Sequence, residues 1–210
     1  MAIIGKECFP VSLRKNGFTE FKLMLYQVPG DGDCFFHSLF LAFFVPYRTL
    51  RFGNGKKADR SQIVRKFRRE LAIVLSRKLE NKNLILYDYL SRGKLREYSR
   101  TVPEYSLENM KRMLKSYSFV GQEVLELTSI ICDKDIYIID QDTEDVYITG
   151  DASLFYKKRP SIVILYVGKN HYDLIGLQCG SGEVVTHFSP DNPFIKFLRR
   201  RISLIEKCRI

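Results

Sequence analysis

The 210-residue chain has no tryptophan, three histidines and five cysteines, and each scarcity removes options. Cys8, Cys34, Cys132, Cys179 and Cys208 are odd in number and widely scattered, with no Cys-x-x-Cys pair. A disulfide framework or a structural zinc site would show closer, paired spacings, so neither is expected. Reduced thiols in an intracellular, cytoplasmic compartment are the simplest reading. Chemistry that needs an imidazole has only His37, His171 and His187 to draw on. The longest uncharged stretch, Cys34–Tyr47, is 14 residues and contains Pro46, short of the roughly 18 apolar residues of a spanning helix. Residues Met1–Pro10 lack the basic leader and apolar run of a secretory signal. A soluble chain with no membrane span is expected.

What is present supports one folded domain over residues 1–210. Hydrophobic residues make up 45% and aromatics 13%, enough for a sizeable core and too much for wholesale disorder. No repeat, low-complexity tract or dividing linker is visible. The formal charge of +10 suggests a nucleic-acid or anionic partner, but the charge is polarised. Residues 48–82 hold twelve basic side chains against Asp59, Glu70 and Glu80, a net +9, whereas 123–151 hold nine acids against Lys134 alone, a net −8.

Along the chain, Phe18–Val28 reads as an extended segment, broken by the turn-favouring run Pro29-Gly30-Asp31-Gly32-Asp33. From Cys34 the sequence CFFHSLFLAFFV suits a helix buried all round, ended by Pro46, with Arg51–Arg60 as a loop. Ser61–Lys82 is the clearest amphipathic helix: Ile63, Phe67, Leu71, Val74, Leu75 and Leu79 form the stripe, with most basic residues opposite. Ser106–Ser116 and Gly121–Cys132 read as helices. Asp135–Asp140, Val146–Thr149, Ser161–Val167, His171–Leu177 and Glu183–Phe188 read as strands, with Gly168-Lys169-Asn170 a hairpin turn. Helices early and strands late indicate an α+β fold.

One cysteine stands apart. Cys34 follows a Gly/Asp turn and opens a helix, where the helix dipole favours thiolate and turn N–H groups can meet an oxyanion. Against this stands the reading of Cys34 as one more small core residue. A thiolate needs a base. His37 lies three residues on, where a helix rarely brings an imidazole to its neighbour's sulfur, so packing or hydrogen bonding suits it better. His171 opens a strand after a tight turn, and Asp173 two residues later projects from the same face. A carboxylate there can hold one ring nitrogen while the other faces a thiol. His187 and the other cysteines read as structural.

These residues resemble a known pattern. Asp31-Gly32-Asp33-Cys34-Phe35-Phe36-His37-Ser38 is similar to the nucleophile loop of the ovarian-tumour (OTU) family of cysteine deubiquitinases. Tyr117–Asp140 is similar to that family's middle segment, a glycine and an acidic helix start followed by a strand. Val163–Ile175 resembles its closing strand pair, which bears His-Tyr followed by Asp or Asn. The three motifs lie in order within about residues 26–176, leaving 177–210 as a C-terminal extension. The resemblance implies a papain-like fold, a small mostly antiparallel sheet packed with a buried catalytic helix. It implies Cys34 as nucleophile, His171 as base and then acid, Asp173 as the residue orienting it, and Asp31 as support for the oxyanion region. The implied substrate is the isopeptide bond after a ubiquitin or ubiquitin-like C-terminal glycine, with no metal or cofactor. The chain departs from the family in having Phe119 where many members carry tryptophan, and in lacking an appended ubiquitin-binding or zinc module. Stand-alone domains of this type occur in cells, in viruses and among bacterial effectors, which would act in the host cytoplasm.

Two other readings compete. A nucleic-acid binder would use the 48–82 segment, but single-strand binders interleave basic and stacking residues, and Phe67 falls on the apolar stripe. Arg65, Lys66, Arg68 and Arg69 therefore read as a solvated helix face. A catalytically silent ubiquitin-binding domain is the third reading, disfavoured by the intact Cys34, His171 and Asp173.

Overall fold

In the computed structural model, residues 8–11, 13, 17–80, 83–91, 93–149 and 158–208 are described, 94 and 203–208 by backbone alone. The strands are β1 (Cys8–Pro10), β2 (Leu23–Tyr26), β3 (Asp135–Asp140), β4 (Val146–Ile148), β5 (Ser161–Val167), β6 (His171–Gln178) and β7 (Val184–Val185). The helices are α1 (Cys34–Phe43), α2 (Val45–Thr49), α3 (Arg60–Val74), α4 (Leu86–Ser91), α5 (Lys94–Tyr98), α6 (Leu107–Ser116), α7 (Gln122–Cys132) and α8 (Pro193–Cys208). The strands form one sheet in the order β1-β2-β6-β5-β3-β4, with β7 also paired to β6. Among the described residues only β3 and β5 pair in parallel; the other pairs are antiparallel. This is the expected α+β architecture with a mostly antiparallel sheet.

The nearly uninterrupted apolar run of β5 has a physical reason: a strand covered on both faces has no polar side. Ile162 and Ile164 join one core with Phe35, Phe36 and Leu39 of α1. Their neighbours Val163 and Leu165 face a second core with Phe188, Phe194 and Leu198. The second cover is α8, whose Phe194, Ile195, Leu198 and Ile202 are buried at helical spacing. Full burial of such a side chain contributes about 1.5–3 kcal/mol, so the C-terminal stretch is an integral part of the sheet's packing.

Several boundaries differ from the sequence reading. Helix α1 ends at Phe43, because Phe44 takes an extended conformation, φ −90° and ψ 104°. Pro46 does not stop that helix; it lies in the first turn of α2, where a missing N–H costs nothing. The long amphipathic helix ends at Val74, since the chain turns back on itself: Lys78 pairs with Ile85 and the Leu79 N–H bonds Leu84 O at 3.1 Å. The expected end at Lys82 lies outside the described residues, as does Asp151 of the acidic segment. Within Phe18–Val28 only Leu23–Tyr26 is strand, and Phe18–Glu20 is a 3-10 turn. The expected strand Glu183–Phe188 shrinks to β7 and a single bridge from Phe188 to Ser161. The β5–β6 connection is the expected tight turn, with Gly168 and Lys169 both at positive φ, the twist a hairpin favours. That turn fixes where His171 begins its strand.

Candidate active site

The loop between β2 and α1 is shaped by one glycine. Gly32 has φ +83°, and a Cβ there would stand 2.4 Å from Tyr117 O. A residue with a side chain would meet both the left-handed conformation and that collision. The loop therefore packs against the 117–118 backbone and delivers Cys34 to the first position of α1.

Cys34 is buried, and the N–H groups of Tyr172 and Phe35 donate to its sulfur. Burial pushes the thiol above its ordinary range; the two N–H groups oppose this, and the carboxylates of Asp173 and Asp31 add to it. The expected preference for thiolate at a helix start is thus outweighed by desolvation. The Ser38 hydroxyl donates to Tyr172 O at 3.1 Å, fastening α1 to the strand that begins with His171.

His171 Nε2 lies 3.0 Å from Asp173 Oδ1, as the two-residue strand spacing predicts. The same oxygen accepts the Val28 N–H at 2.9 Å, so a buried carboxylate joins the histidine to the segment leading into the nucleophile loop. Nδ1 is the other ring nitrogen. Gly30 lies on that side: a Cβ on it would stand 3.8 Å from Nδ1. Cys34, His171 and Asp173, 139 positions apart at the extremes of the sequence, thus gather where α1 meets β6.

Asp31 turns toward its own loop and α1. Its Oδ1 accepts the Asp33 N–H at 3.1 Å, and its Oδ2 lies 3.3 Å from His37 Nε2. His37 is buried, with Nδ1 2.7 Å from the Tyr47 hydroxyl, a packing and hydrogen-bonding position. Burial pushes its pKa down, so the ring is held neutral. His187 sits beside Phe43, with ring centroids 6.2 Å apart. Cys132 is pushed up to about 11 by burial, and Cys179 is exposed. The side chain of Cys208 lies outside the described residues. Asp31, Asp33 and His37 bring ligand-type atoms within 4.8 Å of one another. Asp33 is bonded to Arg68, and His37 Nε2 faces Asp31 Oδ2, so the groups of this cluster partner one another and Arg68.

The middle motif has a structural meaning. Gly121 precedes α7, and a Cβ there would stand 2.6 Å from Glu123 Oε2. Its absence lets the Glu123 carboxylate fold back to accept the N–H groups of Gly121 and Glu123 itself. Phe119, two residues before, stacks on Tyr172 with ring centroids 5.0 Å apart and planes 13° from parallel. Tyr166 lies 5.1 Å from Tyr172 and 6.4 Å from Phe119, so three rings cluster at the residue between His171 and Asp173.

Arg68 escapes sequence reasoning. It belongs to the set read as a solvated helix face, yet it is fully buried. Its Nη1 reaches Gly32 O at 3.2 Å and pairs with the Asp33 carboxylate. Arg65, Lys66 and Arg69 are exposed as expected. The one available signal is positional: on a helix starting at Arg60, Val64, Arg68, Leu71 and Ala72 line one buried side, so Arg68 sits within the apolar stripe.

No protein-family model and no curated protein matches the sequence. Solved structures do. An ovarian tumour (OTU) domain in complex with ubiquitin superposes with a TM-score of 0.54 at 16% identity, over 95% of this chain and 91% of that one. The viral OTU domain protease from Taggert virus gives 0.47 at 17% identity, over 85% and 92%. The Hazara virus OTU bound to ubiquitin gives 0.41 at 18%, over 82% and 89%. The chain has the fold of an OTU domain.

Proposed function

We propose that the chain is a cysteine deubiquitinase, hydrolysing the isopeptide bond after the C-terminal glycine of ubiquitin or a ubiquitin-like modifier. The observation that carries this reading is the Tyr172 N–H on the Cys34 sulfur, which sets the cysteine against the strand residue between His171 and Asp173, themselves paired at 3.0 Å. The likeness to an OTU domain solved with ubiquitin supports the substrate.

With the thiol raised by burial, the proton stays on sulfur until substrate arrives. His171 takes it through Nδ1 as sulfur attacks the glycine carbonyl. Asp173 holds the ring through Nε2 and stabilises the imidazolium. Collapse of the tetrahedral intermediate breaks the C–N bond, and His171 returns the proton to the leaving lysine amine. Water, deprotonated by His171, then cleaves the thioester and regenerates Cys34. Asp31 supports the loop by holding the Asp33 N–H. No metal or cofactor is required.

The test is a ubiquitin probe with a C-terminal electrophile. The parent and Cys132→Ala label, and Cys34→Ala does not. Labelling of Cys34→Ala equal to the parent, or no labelling of the parent by ubiquitin and ubiquitin-like probes, overturns the assignment.

A further inference from the structure

A helix ends with carbonyls that no later turn uses, and its C-terminus carries the negative end of the dipole. At the end of α6, Arg68 meets both needs: Nε donates to Leu114 O at 3.2 Å and Nη2 to Met113 O at 2.7 Å. Nη2 also reaches Ser118 O at 3.0 Å. The two Nη1 hydrogens go to Gly32 O and Asp33. A guanidinium has five N–H bonds, and each has an acceptor here. The cation lies over the rings of Phe36 and Tyr117, 5.1 and 5.6 Å from their centroids.

The consequence falls on one peptide unit. The Gly32–Asp33 peptide has its carbonyl on the Arg68 cation and its N–H on the Asp31 carboxylate, so groups of opposite charge hold its two ends. The first bond inside α1 runs from the His37 N–H to Asp33 O, at 3.0 Å. The helix therefore makes no use of the Cys34 N–H, which sits on the nucleophile itself. Donors placed where charge develops stabilise a tetrahedral intermediate without reorganising.

Resting on the cysteine-hydrolase reading, we infer that Arg68 is a positioning residue for acyl transfer. It fixes the Gly32–Asp33 peptide so that the Cys34 N–H faces the developing oxyanion. Its effect falls on carbonyl addition and leaves the reactivity of the thiol unchanged.

Two reactions of Cys34 separate these, and neither needs ubiquitin. Iodoacetamide loses iodide to attack by sulfur and forms no oxyanion. p-Nitrophenyl acetate is attacked at its carbonyl; the C–S bond forms, nitrophenolate leaves and the thiol proton passes to His171. Rates are taken against Cys34→Ala, to subtract the other cysteines. In Arg68→Lys, which keeps the charge and loses the fork, acylation falls by about 10²–10³-fold and alkylation is unchanged. The charge-neutral pair Asp33→Asn with Arg68→Met gives the same split where Arg68→Lys is unfolded by circular dichroism. Equal loss in both reactions, or full acylation, overturns the inference, and so does unfolding of both variants. Acylation of the parent no faster than that of free cysteine overturns it too. A parent that is acylated at Cys34 but leaves ubiquitin conjugates intact removes the deubiquitinase reading alone.

Discussion

Asp173 and His171 share one short contact, Oδ1 to Nε2 at 3.0 Å, and that oxygen also holds the Val28 N–H at 2.9 Å. The carboxylate orients the imidazole and anchors the backbone that enters the nucleophile loop. The two tasks need different chemistry: the first a negative charge, the second only an acceptor.

Asp173→Asn separates them. The amide oxygen can still accept the Val28 N–H, so stability is largely retained. The charge opposite the imidazolium is lost, and kcat on a fluorogenic ubiquitin substrate falls by about 10²-fold or more. Asp173→Ala loses the acceptor as well and costs a further ~1–3 kcal/mol of folding stability, read by urea denaturation. Unchanged kinetics in both variants would remove Asp173 from the mechanism.

The Cys34 thiol is predicted to titrate above the ordinary cysteine range, with burial the main cause. The rate of iodoacetamide alkylation at Cys34 then rises with pH to a midpoint above that of free cysteine. Asp31→Asn removes a negative charge that disfavours thiolate, so the midpoint moves down. A parent midpoint at or below that of free cysteine contradicts the prediction.

His37 carries an acid-stability prediction. Its folded pKa lies below the ordinary histidine value of 6.5 because burial disfavours the imidazolium. As pH falls below 6.5 the unfolded chain takes up a proton that the folded chain refuses, so stability declines until the lower folded pKa is reached. His37→Gln cannot take up that proton. Its melting temperature should fall less between pH 7 and pH 5 than the parent's. Parallel curves would show that another group governs the acid limb.

Much of this arrangement was legible because it is local. The apolar run of β5, the positive-φ turn between β5 and β6, the His171–Asp173 spacing and the helix opening at Cys34 depend on residues within a few positions of one another. What was hidden is tertiary. Arg68 reads as one of several cations on a charged helix, and nothing nearby says that the carbonyls of α6 and the Gly32 loop converge on it. The end of α3 at Val74 follows from the chain turning back to pair Lys78 with Ile85. The rise of the Cys34 pKa reflects how deeply α1 is packed, which no motif encodes. With Arg68 drawn inside, the basic face offered to an anionic partner is also smaller than the charge count suggests.

The packing of α8 sets a limit on how far the chain can be shortened. The three motifs end by residue 176, so a fragment cut there would carry every catalytic candidate. It would also lay bare Val163, Leu165 and Ile175 of the central strands, which share a core with Phe194 and Leu198. Such a fragment would present an apolar sheet face to water and self-associate. The smallest workable form of this protein therefore extends at least through Ile202, well past its last recognisable motif.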